Sequence, residues 1–342
     1  MIRSLIPVIC LFIFKVASAQ VTPPAASLSG ISLGITGDSS DVQTKTEFGV
    51  LLGGGSTDVD EGLKWMIRLS GGGDFIIIRA SGSTGYHDYL RGLGDVNSVE
   101  TLLIDSREKA MLPAVGKKIR EAEGLFIAGG DQWNYVRYWS NSEVSSALKY
   151  LIETKKVPIG GTSAGCAVLT DIIFDARSGS ATAAVLANPY DSLVRISSSF
   201  IRVPFLKNTI ADQHYSQRER LGRHVVFMAR MTRDLKVKKP RGIGVDEKTS
   251  VCIDRNGEAK VFGYGNAYFL EATGKPELMN EQRPLMWNRK TKAIKAFIFP
   301  ASLEGTKAFN VNKWPKEEPT EYWWVENGEL RRSPQTTVHS PR

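Results

Sequence analysis

The chain has 342 residues, enough for one large domain or two smaller ones, and its 42% hydrophobic and 23% charged residues exclude a disordered or fibrous polymer. Its formal net charge of +8 is dispersed, apart from Lys236-Val237-Lys238-Lys239-Pro240-Arg241, which reads as a solvated basic face. No basic array interleaved with aromatic residues occurs, so no nucleic-acid partner is expected.

Met1 to Ala19 carry Arg3, the apolar run Leu5–Phe14, Lys15 and then Val16-Ala17-Ser18-Ala19. A charged start, an apolar stretch too short to span a bilayer comfortably and an Ala-x-Ala site predict a signal peptide cleaved after Ala19, and hence a secreted or periplasmic protein, with an uncleaved membrane anchor as the competing reading. Cleavage removes Arg3 and Lys15. No later stretch approaches ~18 apolar residues, so no stable membrane insertion is expected afterwards. Cys10 leaves with this segment. Cys166 and Cys252 lie in apolar contexts, too few for a disulfide framework, and read as small buried residues.

After a Pro/Ala/Ser/Gly-rich stretch at Val21–Gly34, apolar runs alternate with Gly-rich turns and helical patterns, the signature of an α/β fold on a mainly parallel sheet. Gly49–Leu52 predicts a strand ending in Gly53-Gly54-Gly55-Ser56, and Asp58–Leu69 a helix with Leu63, Met66 and Ile67 on one face. Phe75–Ala80 and Thr101–Asp105 read as buried strands. A helix over Ala114–Ala122 leads to a strand at Gly124–Ala128, which runs into Gly129-Gly130-Asp131-Gln132. Helices near Tyr135–Trp139 and over Glu143–Lys155 precede the strand-like Val157–Gly160, and Cys166–Leu169 is compatible with a helix.

Beyond Asp175 the rhythm changes. Ser178–Ala184 is small and polar, and Val203–Phe205, Gly242–Asp246, Val251–Asp254 and Lys260–Gly263 predict further strands. The last hundred residues look more antiparallel, and the tail from Arg331 reads as disordered. Trp314, Tyr322, Trp323 and Trp324 are expected to pack against the core.

Gly160-Gly161-Thr162-Ser163-Ala164-Gly165 thus lies between a strand and a helix. A serine on such a turn projects its hydroxyl above the sheet while helix N-terminal amides point at it. That hydroxyl needs a base to take its proton, commonly histidine. Of four histidines, His339 lies in the tail, His87 reads as an ordinary helix start, and His224 opens the apolar run Val225–Ala229 as a packed or capping residue. His214 remains, within the polar stretch Asp212–Arg223. Polar residues this dense are costly to bury without partners and belong to a surface or a polar cleft. A solvated helix start with salt bridges is the competing reading, and spacing alone leaves it ahead.

Taken in order along the chain, Gly129–Gln132, Gly160–Gly165 and Asp212–Tyr215 with Arg218, Arg220 and Arg223 closely resemble the cyanophycinase family, related to dipeptidase E. The resemblance runs from about Gly53 to Tyr268 and implies a mainly parallel, doubly wound α/β sheet of the class I glutamine amidotransferase type, with additional antiparallel strands toward the C-terminus. By it, Ser163 inherits the role of nucleophile and His214 that of general base. Gln132, Asp212, Gln213, Arg218, Arg220 and Arg223 match the substrate pocket, and the Gly130 and Ala164 amides would face the oxyanion. The orienting acid is expected at Glu247, with Asp246 and Asp175 behind it. Relatives often carry a glutamate just before a segment like Leu186–Tyr190, where this chain has Ala183-Ala184-Val185.

The implied substrate is cyanophycin, poly-aspartate bearing arginine on its β-carboxyls, cleaved to β-Asp-Arg through an acyl-enzyme. Arginine forks suit its carboxylates and Asp212 its guanidinium. An exported enzyme must act on released polymer or on other β-aspartyl peptides. No cofactor or metal is expected, for want of a cluster with metal spacing. Relatives are often dimers, which leaves a homodimer open. The expected organisation is residues 1–19 signal peptide, 20–45 N-terminal lead-in, 46–272 catalytic α/β domain, 273–330 C-terminal extension and 331–342 disordered tail. Competing readings are a hydrolase of N-terminal aspartyl peptides, a non-catalytic binding protein with a degenerate triad, and an α/β-hydrolase esterase. The last would place its histidine near the C-terminus and lacks an HGGG-type loop here.

Overall fold

The computed structural model describes residues 28–315 and 317–333, so the signal-peptide segment 1–19 and His339 lie outside the described residues. Strand β1 (Ser32–Gly37) precedes β2 (Gly49–Gly53), helix α1 (Asp60–Ser70) and β3 (Phe75–Arg79). Then come α2 (His87–Leu93), β4 (Ser98–Leu103), the short α3 (Arg107–Ala110), α4 (Pro113–Glu121) and β5 (Gly124–Ile127). Helices α5 (Gln132–Trp139) and α6 (Glu143–Tyr150) lead to β6 (Pro158–Thr162) and the single-turn α7 (Ala164–Ala167). The remainder is β7 (Ile172–Phe174), β8 (Ile196–Ser198), β9 (Thr209–Gln213), α8 (Leu221–Arg233), β10 (Arg241–Val245) and β11 (Thr249–Asp254). It closes with β12 (Glu258–Gly263), β13 (Asn266–Ala272), β14 (Ile294–Pro300), β15 (Phe309–Asn310), β16 (Glu321–Glu326) and β17 (Glu329–Arg332).

Among the described residues these strands form two sheets. The first has the order β1-β4-β3-β5-β6-β2-β11-β12-β15 and is parallel from β4 to β2 and antiparallel at both flanks. The second, β17-β16-β14-β13-β10-β9-β7-β8, is parallel only across β10, β9 and β7. Alternation along the strands divides the core. Phe75 and Ile77 face Leu63, Met66 and Ile67 of α1, whereas Ile76 and Ile78 join a larger cluster with Ile119 of α4, Leu148 of α6 and Ile243 of the second sheet. The far side of the second sheet packs on α8 through Ile210, Val226 and Trp323. The result is a mixed α/β architecture with a parallel centre.

In the first sheet the parallel register sets Gly53 opposite Thr162 and Ile127 opposite Gly161, so β2, β5 and β6 end on one rim. Open sheets present their ligand crevices outside such carboxyl ends. In the second sheet Gln213 sits opposite Val245, and their strand ends arrive at the same rim, where the His214 amide donates to Gly54 O at 2.8 Å.

Several expected elements differ. No strand forms at Val203–Phe205: Pro204 lacks an amide hydrogen, Phe205 turns at φ 72°, and the strand starts instead at Thr209. Helix α5 begins at Gln132 rather than near Tyr135 because Asp131 caps it, accepting from Trp133 N at 2.9 Å. The lead-in contributes β1 to an edge of the first sheet. Residues 273–330 do not stand apart: β14 and β16 extend the second sheet, and β15 the first. Arg331 and Arg332, expected in a disordered tail, lie in β17. Trp314 and Trp323 are buried, Tyr322 and Trp324 half-buried, and Cys166 and Cys252 are unpaired and buried. No helix among the described residues is long and apolar enough to cross a membrane.

Phe269 of β13 ties the later strands to the centre, with its ring centroid 5.5 Å from that of Phe299, 4.7 Å from Phe309 and 5.5 Å from Trp314. Phe269→Ala should cost about 3–5 kcal/mol of stability, read as a lower urea midpoint at unchanged slope.

Candidate active site

Ser163 sits at φ 52°, ψ −117°, a conformation that a side chain tolerates only when the surroundings impose it. Close packing does so here. A Cβ on Gly165 would stand 2.1 Å from Ile127 O, and one on Gly161 would stand 2.6 Å from the Gly165 carbonyl carbon, so only glycines let this turn fold against β5. Helix α7 starts immediately at Ala164, and the Gly129 backbone lies against Ser163, a Cβ there standing 3.6 Å from the serine Cβ. Gly129 thus lies beside Ser163, whereas a Cβ on Gly130 would stand 2.7 Å from the Tyr135 hydroxyl.

The Ser163 hydroxyl lies 2.8 Å from His214 Nε2, and His214 Nδ1 lies 2.6 Å from Glu247 Oε1. An ionised carboxylate can only accept, so Nδ1 carries the proton and Nε2 is left as an acceptor for the serine O–H. Asp246 is engaged elsewhere, accepting from Ser216 N at 2.8 Å and Asn266 N at 3.0 Å. Asp175 accepts from Arg177 N and Arg195 Nε. Of the three acids weighed from sequence, Glu247 alone meets the imidazole. Ala183–Val185 pack beside α8, where a Cβ on Gly222 would meet the Ala183 methyl.

Burial lowers the His214 pKa from its ordinary value, with Arg218 and Arg220 acting in the same direction and Glu247 opposing. At neutral pH the imidazole is thus uncharged and able to take a proton. The other described histidines have structural partners. His87 bridges Thr36 and Thr101, and His224, driven by burial down to about 4, bridges the Tyr215 hydroxyl and Ile210 O.

Sequence reading missed what aligns these groups. Gly53 O accepts from Ser163 N at 3.0 Å, Gly54 O from His214 N at 2.8 Å, and Gly55 O from Lys248 N at 3.1 Å. Gly55, at φ 97°, also lies under the imidazole, and a Cβ there would stand 2.4 Å from His214 Cε1. The available signal was the run of three glycines at a strand end, which was read only as a turn.

The polar stretch divides: Ser216–Glu219 form an exposed loop, whereas Asp212, Gln213, Arg220 and Arg223 form a buried cluster. Arg223 grips Asp212 with both arms of its fork, Nε to Oδ2 at 2.8 Å and Nη2 to Oδ1 at 2.6 Å, and its Nη1 donates to Ser180 and Ala181. Arg220 Nη1 reaches Asp212 Oδ1 at 3.3 Å and Gln213 O at 2.8 Å. Burial opposes ionisation of Asp212, but these arginines hold its carboxyl below the usual range, while burial pushes Arg220 down to about 10. Asp212 and Arg223, expected to meet a substrate guanidinium and carboxylate, instead saturate each other inside the protein. Gln213 Nε2 lies 3.5 Å from Gln132 Oε1, and Gln132 donates to Phe174 O, so both glutamines are buried beside the cluster. Arg218 alone of the three arginines is exposed, with its amide on His214 O at 3.0 Å.

Residues 86–260 match the family model described as Peptidase family S51, a span that holds Ser163, His214 and Glu247. The chain is 29% identical over 186 residues to a protein named cyanophycinase from Synechococcus elongatus, covering 54% of this chain and 53% of that protein. It is 30% identical over 186 residues to one from Trichormus variabilis, covering 54% and 56%. The chain thus spans about half the length of the curated relatives it matches. A crystal structure of a peptidase from an acI-B1 Actinobacterium superposes with a TM-score of 0.50 at 15% identity, covering 78% of this chain and 98% of the other, a likeness of fold alone.

A serine-directed fluorophosphonate tests Ser163 as a nucleophile without a substrate. Labelling requires neutral His214, so its rate should fall as pH drops through a pKa below the ordinary 6.5. Glu247→Gln removes the group that opposes this lowering. The acid limb should move to still lower pH and the rate drop by about 10⁴, the loss typical of a triad amide. An acid limb at or above 6.5 in the wild type would contradict the buried geometry. Gly55→Ala should displace the imidazole and slow labelling about 100-fold with the fold intact by circular dichroism.

Proposed function

This chain belongs to peptidase family S51, a family of serine-type peptidases, and from that premise we propose that it is an exported enzyme hydrolysing cyanophycin-like poly-aspartate-arginine to β-Asp-Arg. The observation that carries the reading is the unbroken relay from Ser163 to His214 to Glu247, within hydrogen-bond distance at both steps. Ser163 attacks the scissile carbonyl as His214 Nε2 takes its proton, and the imidazolium is stabilised by Glu247. The Gly130 and Ala164 amides face the oxyanion, and His214 returns the proton to the leaving amine, leaving an acyl-enzyme that water resolves by the reverse route.

Substrate recognition falls to the exposed Arg218, whose fork suits a carboxylate, with Gln132 and Gln213 at the pocket wall. Asp212, Arg220 and Arg223 act behind that wall, holding β9 and the His214 turn in place. The complete relay speaks against the binding protein with a degenerate triad. Supporting the glutamine amidotransferase-like, doubly wound reading are helices on both faces of the parallel centre and the serine on its strand-to-helix turn. Export rests on the charge and hydropathy pattern of Met1–Ala19, and residues 46–272 hold every proposed catalytic group. A homodimer is the assembly proposed by analogy with relatives.

The deciding experiment incubates the protein from Gln20 onward, and its Ser163→Ala variant, with purified cyanophycin. Release of β-Asp-Arg in the mass spectrum from the first and not the second is expected. No release from a folded wild type would transfer the reading to other β-aspartyl or N-terminal aspartyl peptides.

A further inference from the structure

Between the loop that follows His214 and the C-terminal hairpin lies a cleft of about 370 Å³. Glu219 and Leu221, Tyr268 of β13, and Leu330 and Arg332 of β17 are among its lining residues. Its volume lies within the usual range for a small-ligand site. Ser216, two residues from His214, is also in its wall, so the cleft adjoins the candidate active site. Tyr268 and β17 lie beyond residue 260, outside the span that matches the family model.

The two charges of the cleft are of opposite sign and do not neutralise each other. Glu219 is exposed on the loop. Arg332 is about half-exposed and pairs across the hairpin with Glu321 at 3.6 Å, a carboxylate already held by Trp323 Nε1 at 2.7 Å. The same cleft is lined by the apolar side chains of Leu186, Leu221 and Leu330 and by Tyr268. A ligand matched to this surface has a cation and an anion on one apolar stem. An arginine joined through its α-amine meets that description: guanidinium, methylene stem and free carboxylate.

We infer that this cleft is a distal subsite that seats a second arginine-bearing unit of the polymer beside the one being cleaved. The inference rests on the polymer reading of the active site. In it the guanidinium meets Glu219, the stem lies on Leu221, Leu330 and Tyr268, and the carboxylate meets Arg332. The C-terminal hairpin thereby makes the site selective for chains longer than one unit.

Binding to the Ser163→Ala protein separates this subsite from turnover. A fluorescent oligomer of three β-Asp-Arg units is titrated by anisotropy against that protein and against the same protein carrying Glu219→Gln, Arg332→Gln or both. Each charge removed should weaken binding about fivefold, and both together about twentyfold, with the melting temperature of Glu219→Gln unchanged. Because Glu219 lies on an exposed loop, that variant decides the matter even if Arg332→Gln loosens the hairpin. Unchanged affinity in Glu219→Gln overturns the subsite. If the wild type still releases β-Asp-Arg from polymer, the polymer reading survives that result. Absence of binding by Ser163→Ala together with absence of release by the wild type ends both.

Discussion

Three consecutive carbonyls at the end of one strand, those of Gly53, Gly54 and Gly55, accept the amides of Ser163, His214 and Lys248. The remainder of the candidate site depends on this short ladder. Its donors come from separate segments, the end of β6, the end of β9 and the turn between β10 and β11. Backbone hydrogen bonds have narrow geometry, so a rigid row of acceptors fixes the spacing of whatever donates to it. Glycine is required because the imidazole lies against the row itself, within 2.4 Å of where a Gly55 Cβ would stand. Strand β2 can play this part because it lies between parallel β6 and antiparallel β11, where Ser163 and Glu247 arrive from opposite sides.

A second constraint is electrostatic. Asp212, Arg220 and Arg223 are all buried, an arrangement that desolvation makes costly unless every lone pair and donor finds a partner. Here they nearly all do, and losing one partner from such a cluster typically costs about 3–5 kcal/mol. The cluster braces β9 at the point where the chain turns sharply into His214, itself at φ 47°. Arg220 contributes twice, tethering Gln213 O and adding positive potential that favours neutral His214. Structural ion pairing and base strength are thereby coupled through one side chain.

The later strands do more than cover the second sheet. Phe269, Phe299, Phe309 and Trp314 form one aromatic cluster, so β13 to β15 are locked to the same core as the parallel centre. The hairpin β16–β17 is anchored by Trp323, buried beside Tyr268 at 6.3 Å. Through Tyr268 and its neighbour Tyr215, this packing reaches the residue directly after His214. The C-terminal strands therefore shape the ground next to the active site.

Much of the first half was legible because local pattern suffices there. Apolar runs such as Phe75–Arg79 are buried on both faces of a parallel sheet, and the turn Gly161–Gly165 announces itself by its glycines. Strand β9 was not legible, since Thr209–Gln213 lacks an apolar run and its polar residues are matched by arginines from α8. By itself the sequence determined the strand-to-helix turn that carries Ser163 and the order of strands and helices through the parallel centre, whereas residue pattern left His214 in a polar stretch and only the resemblance gave it a role. Only the tertiary structure decided that Glu247 rather than Asp246 or Asp175 meets the imidazole, that Asp212 faces Arg223 rather than a ligand, and that three glycines align the relay. The physical reason is separation: Ser163 and His214 lie 51 residues apart, and His214 and Glu247 lie 33 apart. Contacts over such distances are set by strand register and packing, which local periodicity does not encode.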